Sequence, residues 1–336
     1  MRFLIVGVAL FLFLYPIFHP LSLSDLPHRP LGNSVGFYIY PGEGVNLVAS
    51  KLEGMGLVKS AELFIEEAKR VRLSFRAGGY ILKEGMSLYD IIEALKRRPT
   101  LEKVTIPEGL TASEIAKILL RKEIISSESE FLLLVNKGKR YFKSFKYIGD
   151  IPSESVEGYL FPDTYYLPRR SSPKGVISLM LERFERSITE EMLKELPKLG
   201  FSLHQVITLA SIIEREGQKE EEYPIISAVF YNRLKRGMRL ESCATVGYLL
   251  PERKGRLSIN DLKIDSPYNT YLYGGLPPGP ICNPGLKAIR ASFFPAKVDY
   301  LYFVSKGDGS HHFSRTYEEH IEAKNRYLGG AGQRNP

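Results

Sequence analysis

The stretch that most limits what this chain can become is its first, MRFLIVGVALFLFLYPIFHPLS. After Arg2, the run from Phe3 to Phe18 carries no charge. Extended to Leu21 as a helix, it reaches about 28 Å at ~1.5 Å per residue, close to the thickness of a bilayer's hydrocarbon core. A secretory leader would end on small residues spaced for cleavage, but His19, Pro20 and Leu21 follow instead. The reading is an uncleaved transmembrane anchor over 1–21, its short basic end in the cytoplasm and everything after it outside. Whatever folds downstream is expected to fold beyond the membrane.

Residues 22–35, SLSDLPHRPLGNSV, are polar and proline-containing and read as a linker. The remainder is long enough for two or three cores, and 44% hydrophobic with 25% charged residues is globular composition rather than disorder. Lysine and arginine (46) outnumber acids (38), a balance that suits anionic surfaces such as lipid headgroups or an acidic polymer. No nucleic-acid partner is expected, because no basic stripe is interleaved with aromatics and no zinc-finger or RNP-like motif is present. Basic runs such as LKRRP (95–99) fall at helix ends, where they match the dipole. Outside the cytoplasm the two cysteines, Cys243 and Cys282, form a pair that can oxidise. Neither has a second cysteine or histidine at metal-ligand spacing.

From Gly36 the chain alternates short β-like runs with amphipathic helices, an α+β pattern. GFYIYPGEG reads as a strand into a turn, and VNLVASKLEGMG and SAELFIEEAKRVRL read as helices, the second capped by Ser60. AGGYILKEGM is a returning strand and SLYDIIEALKRR a third helix. The segment 48–64 then aligns without gaps to 115–131, matching Val48 to Ile115, Leu52 to Leu119, Leu57 to Ile124, Val58 to Ile125 and Phe64 to Phe131. PGEG precedes the first copy and PEGLT the second, so 36–145 reads as an α/β region with partial duplication. A mixed α+β region occupies 146–327. It opens near EGYLFPDTYYLP (157–168) and ends in the hairpin DYLYFVSKGDGSHHFS and a last helix. The tail 328–336 reads as flexible.

The segment ASIIEREG (210–217) puts Glu214 and Glu216 at the end of a helix. On a helical wheel Val206, Leu209, Ala210 and Ile213 form the core-facing stripe. Glu216 continues it beside Leu209 and Ile212, while Glu214 lies on the other flank and Arg215 faces away. Gly217 is a natural C′ residue, so Glu216 falls in the last turn, where the macrodipole disfavours a carboxylate. Apolar neighbours disfavour the charged form further, which is what a general acid requires. A frayed end with two solvated acids, continuous with KEEE (219–222), explains the same residues, and the wheel leaves both readings open. Downstream, the loops GGLPPGP and NPG are interleaved with Tyr268, Asn269, Tyr271 and Asn283, side chains of the kind that bind sugars by stacking and hydrogen bonding. His311 and His312 are adjacent on a strand, so they face opposite sides and are not expected to share a metal.

Taken together, ASIIERE, AVFYNRLKRGMRLES, YNTY, GLPPGPICNPG and PAKVDYLYFVSKGDGSHHFS, with EGYLFPDTY upstream, resemble the endolytic murein transglycosylases of the MltG/YceG-like family. The N-terminal anchor and AGGYILKEGMSLYDIIEAL, similar to that family's LysM-like module, extend the resemblance over nearly the whole chain. It implies a transmembrane helix, LysM-like α/β modules within 36–145, and a YceG-like catalytic domain with an open groove over 146–327. It implies a lyase of the cytoplasmic membrane, its catalytic domain extracytoplasmic. The reaction would cut the β-1,4 bond between N-acetylmuramic acid and N-acetylglucosamine in nascent peptidoglycan strands, leaving 1,6-anhydro ends and terminating elongation. No cofactor or metal is implied, and glycan-polymerising penicillin-binding proteins are the implied partners. The catalytic glutamate falls on Glu216, with Glu214 supporting. Tyr231, Asn232, Arg233 and Ser242 shape the groove, Tyr268, Asn269, Thr270 and Asn283 contact sugar, and His311 orients a loop. Many members read Ser-Asp-Pro-Thr where this chain reads SCAT. Cys282 stands in the neighbouring motif, which suggests a Cys243–Cys282 disulfide tying two groove walls. A non-catalytic, membrane-tethered peptidoglycan-binding scaffold and a hydrolytic muramidase are the alternatives left open.

Overall fold

The computed structural model describes residues 34–40, 42–251 and 257–328. The anchor over 1–21, nearly all of the linker and almost the whole tail lie outside the described residues. Among those described, no single helix is long and apolar enough to cross a membrane. The architecture is mixed α+β, and the chain separates into two compact units.

The first unit comprises 34–103 with 166–168. Strand β1 (Ser34–Ile39) leads to helices α1 (Val45–Gly54) and α2 (Ala61–Arg70), and β2 (Gly78–Lys83) returns antiparallel to β1, from Ser34 opposite Lys83 to Ile39 opposite Gly78. Helix α3 (Leu88–Lys96) and β3 (Leu101–Thr105) come next, and the sheet runs β1-β2-β3-β4, with β4 at Thr164–Pro168. Both β3 and β4 have residues in both units. Alternation in β2 buries Tyr80 and Leu82 against Val48, Leu52, Phe64, Ile91 and Leu95. The helix starts are chemical: Ser60 accepts the Leu63 N–H, and Ser87 with Asp90 forms a reciprocal capping box.

The second unit comprises 104–165 and 169–328. It opens with a second helix pair, α4 (Ala112–Arg121) and α5 (Glu128–Asn136), then the short α6 (Gly138–Phe142). After β4 come α7 (Pro173–Ser187), α8 (Glu190–Leu199), α9 (Leu203–Glu216), α10 (Tyr223–Lys235), α11 (Cys243–Gly247) and α12 (Leu286–Phe293). The hairpin β5 (Tyr302–Ser305) and β6 (His311–Ser314) and helix α13 (Tyr317–Leu328) complete it. Its core gathers Leu209, Ile212 and Ile213 of α9 with Ile226 and Phe230 of α10 and Ala288 of α12.

The two compact units divide at 103/104. The second helix pair is tied to residues on its C-terminal side. Val156 N–H donates to Val135 O at 3.0 Å, Ala112 N–H to the Glu157 carboxylate, and α5 packs on α7. Burial and hydrogen bonding, not sequence likeness to α1–α2, decide where this pair belongs.

Candidate functional site

Helix α9 is the element on which the site is built. Ser202 accepts the Gln205 N–H, and the Gln205 side chain in turn accepts the Ser202 N–H. From His204 through Ile213 every residue except Gln205 is buried, so the helix is fixed by packing on nearly all sides. At its start, His204 Nε2 lies 3.0 Å from Pro278 O and Nδ1 lies 2.8 Å from the Tyr159 hydroxyl. A carbonyl only accepts, so Nε2 carries the proton and Nδ1 accepts from Tyr159. Burial pushes this imidazole below its usual range. At its end Gly217 is not a left-handed C′ residue: its backbone is extended, φ −80° and ψ 140°. Glycine is needed there for space, since a Cβ would collide with the Tyr223 ring.

The two glutamates face different helix starts. Glu216 directs Oε1 at the beginning of α11, where it accepts from the Ser242 hydroxyl and, at 3.3 Å, from the Ala244 N–H. Ser242 is itself held by a closed relay. Its N–H donates to Thr270 Oγ1 (3.0 Å), that hydroxyl to Thr245 Oγ1 (2.9 Å), and the Thr245 hydroxyl back to Ser242 O (2.8 Å). Each hydroxyl has one proton, and this direction uses all of them. Both donors to Glu216 converge on Oε1, whereas Oε2 has no hydrogen-bond partner among the described residues. Oε1 is thus the bonded acceptor of this carboxyl, and Oε2 the oxygen unpartnered among the described residues.

Glu214 instead turns to the start of α12, where Oε2 accepts the Gly285 N–H at 2.9 Å. Burial pushes this carboxyl up to about 7, with the nearby Glu108 and Glu220 adding and the Gly285 bond and Arg215 opposing. A Cβ on Gly285 would overlap the Glu108 carboxyl. Among the described residues no three of His, Cys, Asp and Glu are grouped to hold a metal ion.

The other sequence-selected residues are mostly buried and bonded within the protein. Asn269, Thr270 and Asn283 are at most 1% exposed, so none presents a face to a sugar. Asn269 Nδ2 donates to the Leu262 and Ile264 carbonyls, and Oδ1 accepts the Tyr271 N–H. Asn283 Oδ1 accepts from Gly158 and Leu160 N–H, both at 2.9 Å, while Nδ2 donates to Leu110 O and to Glu157. Tyr231 and Arg233 are buried as well. The Tyr231 hydroxyl donates to Ser292 O, and the Arg233 guanidinium to the Leu301, Arg239 and Leu240 carbonyls. Asn232 ties Val298 O and Tyr300 O, and His311 meets the Glu222 carboxylate through Nδ1 at 2.7 Å. Tyr268 is half-buried against Tyr248. Amides satisfied at both ends brace loops; they do not read ligands. The expected disulfide is absent: Cys282 is buried with Sγ on Ser211 O at 3.3 Å, whereas Cys243 is exposed with Sγ 3.0 Å from the Tyr271 hydroxyl.

Sequence reasoning missed Glu157. Its side chain is buried and accepts from Ala112 N–H at 3.0 Å and from Asn283 Nδ2 at 2.6 Å. Burial pushes it up to about 7 against those donors and the Gly158 N–H, with Glu114 adding slightly. Its signal was a lone acid among the apolar and aromatic residues of VEGYLFP. The Ala244 N–H was missed too, and no side-chain pattern advertises a backbone donor. Clefts of about 740 Å³, lined by Asn232, Lys235, Lys297 and Arg315, and about 620 Å³, lined by His204, Gln205 and Leu276, do not include Glu216.

Comparison with known proteins covers nearly all of this architecture. A profile of the YceG-like family matches residues 37–326. A Bacillus subtilis (strain 168) protein named endolytic murein transglycosylase is 34% identical over 93% of this chain and 90% of its own length. One of the same name from Streptococcus pneumoniae serotype 2 is 31% identical over 83% of this chain, and the match spans 56% of that protein. The crystal structure of a yceG-like protein from Listeria monocytogenes superposes with a TM-score of 0.62 at 31% identity, covering 86% of this chain and 98% of that one. The chain belongs to the YceG-like family.

Proposed function

We propose that this protein is a peptidoglycan lytic transglycosylase, a lyase that acts within glycan strands and uses Glu216 as its acid and base. The single observation that carries the reading is the half-anchored carboxyl: Oε1 is gripped by Ser242 and Ala244, and Oε2 has no hydrogen-bond partner among the described residues. In this mechanism Oε2 gives its proton to the glycosidic oxygen between N-acetylmuramic acid and N-acetylglucosamine, and the bond from muramic C1 to that oxygen breaks, releasing the N-acetylglucosamine 4-hydroxyl. The resulting carboxylate then accepts the proton of the muramic C6 hydroxyl as that oxygen bonds to C1, closing a 1,6-anhydro ring. The nucleophile is part of the substrate, so one carboxyl suffices, whereas a retaining hydrolase sets a second about 5 Å away. Glu214 is bonded to Gly285 at a different helix start, which favours a supporting role. In the same reading Tyr231, Asn232, Arg233, Asn269, Thr270, Asn283 and His311 position loops rather than touch sugar. The first unit, with its β-α-α-β order, is the LysM-like part, and residues 1–21 hold the enzyme at the cytoplasmic membrane beside the synthases that extrude the strand.

A second assignment, with Glu214 as the acid, has one observation in its favour: burial gives that carboxyl a proton affinity suited to neutral pH. Full-length protein acting on uncrosslinked glycan strands, with chain ends read by mass spectrometry, separates the two. Glu216→Gln is expected to lose anhydro ends by about 10²-fold or more, the scale of a lost general acid, while Glu214→Gln stays within about tenfold. The reverse ranking would move the chemistry to Glu214. Hydrated reducing ends from the wild type would make the enzyme a muramidase, and an intact but inert wild type would make it a scaffold.

A further inference from the structure

The motif YNTY (268–271) sits beside the proposed acid, and two of its four residues have little left for a ligand. Asn269 and Thr270 are buried in the loop's own bonds, while the two tyrosines are partly buried, Tyr268 against the Tyr248 ring. Tyr271 is the one bonded to the neighbourhood of the acid. Its backbone is fixed at both ends, N–H to Asn269 Oδ1 at 3.0 Å and C=O to Arg239 Nη1 at 3.2 Å, and its side chain is only partly buried. Its phenol meets Cys243 Sγ at 3.0 Å. Cys243 is exposed and stands between Ser242 and Ala244, the two residues that grip Glu216 Oε1. The thiol therefore lies one residue from each half of the clamp, with the phenol bonded to it. Burial raises the proton affinity of both; the bond between them comes next, raising the phenol's and lowering the thiol's, and Glu216 adds to each after that.

An aromatic ring fixed next to an open carboxyl is a stacking surface for the C–H face of a pyranose, with a hydroxyl at its edge. The partner holding that ring is a weak one. A thiol sets the direction of the phenol without a charge and leaves its remaining acceptor capacity free. We propose that Tyr271 is the saccharide-facing platform of this site and that Cys243 is a positioning residue for its ring. The pair would select an N-acetylhexosamine ring of the glycan to lie across Glu216. The inference rests on Glu216 being the acid.

The test uses full-length protein and uncrosslinked glycan strands. Binding is measured in the Glu216→Gln background and steady-state kinetics in the wild-type background. Tyr271→Ala is expected to weaken binding and raise KM about tenfold, with kcat changed less than about twofold, the weight of one lost stacking contact. Cys243→Ala raises KM about threefold, Cys243→Ser restores most of it, and adding Cys243→Ala to Tyr271→Ala costs nothing more, because both act through one ring. Should the alanine variant melt early, Tyr271→Leu keeps the bulk, removes the ring face and carries the same expectation. Unchanged binding by Tyr271→Ala or a well-folded Tyr271→Leu overturns the proposal, as does a full additive Cys243 effect. Full cleavage by Glu216→Gln would instead remove the acid assignment, while the Tyr271 binding data would still report on the platform.

Discussion

The two helix pairs, α1–α2 and α4–α5, share one local pattern. Three of their four bounds keep one shift, from 45–54 to 112–121 and from 61 to 128, and the second helix of each is capped by a serine, Ser60 or Ser127. Even the connectors agree: Gly56 and Glu123 both have positive φ, and at 2.9 Å Leu57 N–H donates to Leu52 O as Ile124 N–H does to Leu119 O. All ten aligned apolar positions are buried. What differs is the entrance. Helix α1 follows Gly44 with no side-chain cap, whereas α4 follows a Thr111–Glu114 capping box and has its first N–H held by Glu157. Just before it, Leu110 is bridged to Asn283. Apolar positions thus specify the shape of the pair, and the few polar residues before it specify what it is attached to.

Three perturbations press on that contrast. The largest is expected where the copies are alike. Phe64→Ala and Phe131→Ala each remove a fully buried ring and should lower the local opening free energy of their own pair by about 3–5 kcal/mol. Read by amide hydrogen exchange, each should loosen its own helices and spare the other pair. Loosening of both by one substitution would mean that the pairs are not separately stabilised.

The next concerns Glu157, which has no counterpart before α1. Its folded-state affinity is raised, from 4.5 to about 7. Between those values the folded chain keeps a proton that the unfolded chain has released, so this contribution to stability is full below about pH 4.5 and falls as pH rises to about 7. The fall is on the order of 3 kcal/mol, with none beyond. In Glu157→Gln that slope should vanish from denaturant midpoints measured over this window, leaving the similar slope of Glu214. An unchanged slope would show that Glu157 titrates normally. The smallest effects are at the caps. Thr111→Ala should cost α4 about 1 kcal/mol, and Gly44→Ser should gain α1 a few tenths, both visible in exchange at the first helical turn.

Much of this architecture is legible in the residues alone. The gapless alignment of 48–64 with 115–131 depends only on period and burial, and the hairpin at 302–314 on alternation around a Gly-Asp-Gly turn. Illegible were properties that belong to pairs of distant residues. An asparagine looks the same whether it binds a sugar or, like Asn283, spends both ends on Gly158, Leu160, Leu110 and Glu157. Two cysteines look pairable until one is found sealed against Ser211 and the other beside Tyr271. Gly217 showed its identity but not its reason, because the ring that needs the space is six residues away.

Segment 281–285 runs alongside the α9 rod. Ile281 N–H donates to Ser211 Oγ, Cys282 Sγ to Ser211 O, and Gly285 N–H to Glu214, three rungs along one side of an otherwise greasy cylinder. Anyone transplanting this chemistry into a foreign scaffold would find the helix alone an inadequate graft. The portable piece is the rod together with its laced-on ribbon, and stripping away the ribbon would leave Glu214 without its Gly285 donor and Ser211 Oγ with only its bond to Thr208 O.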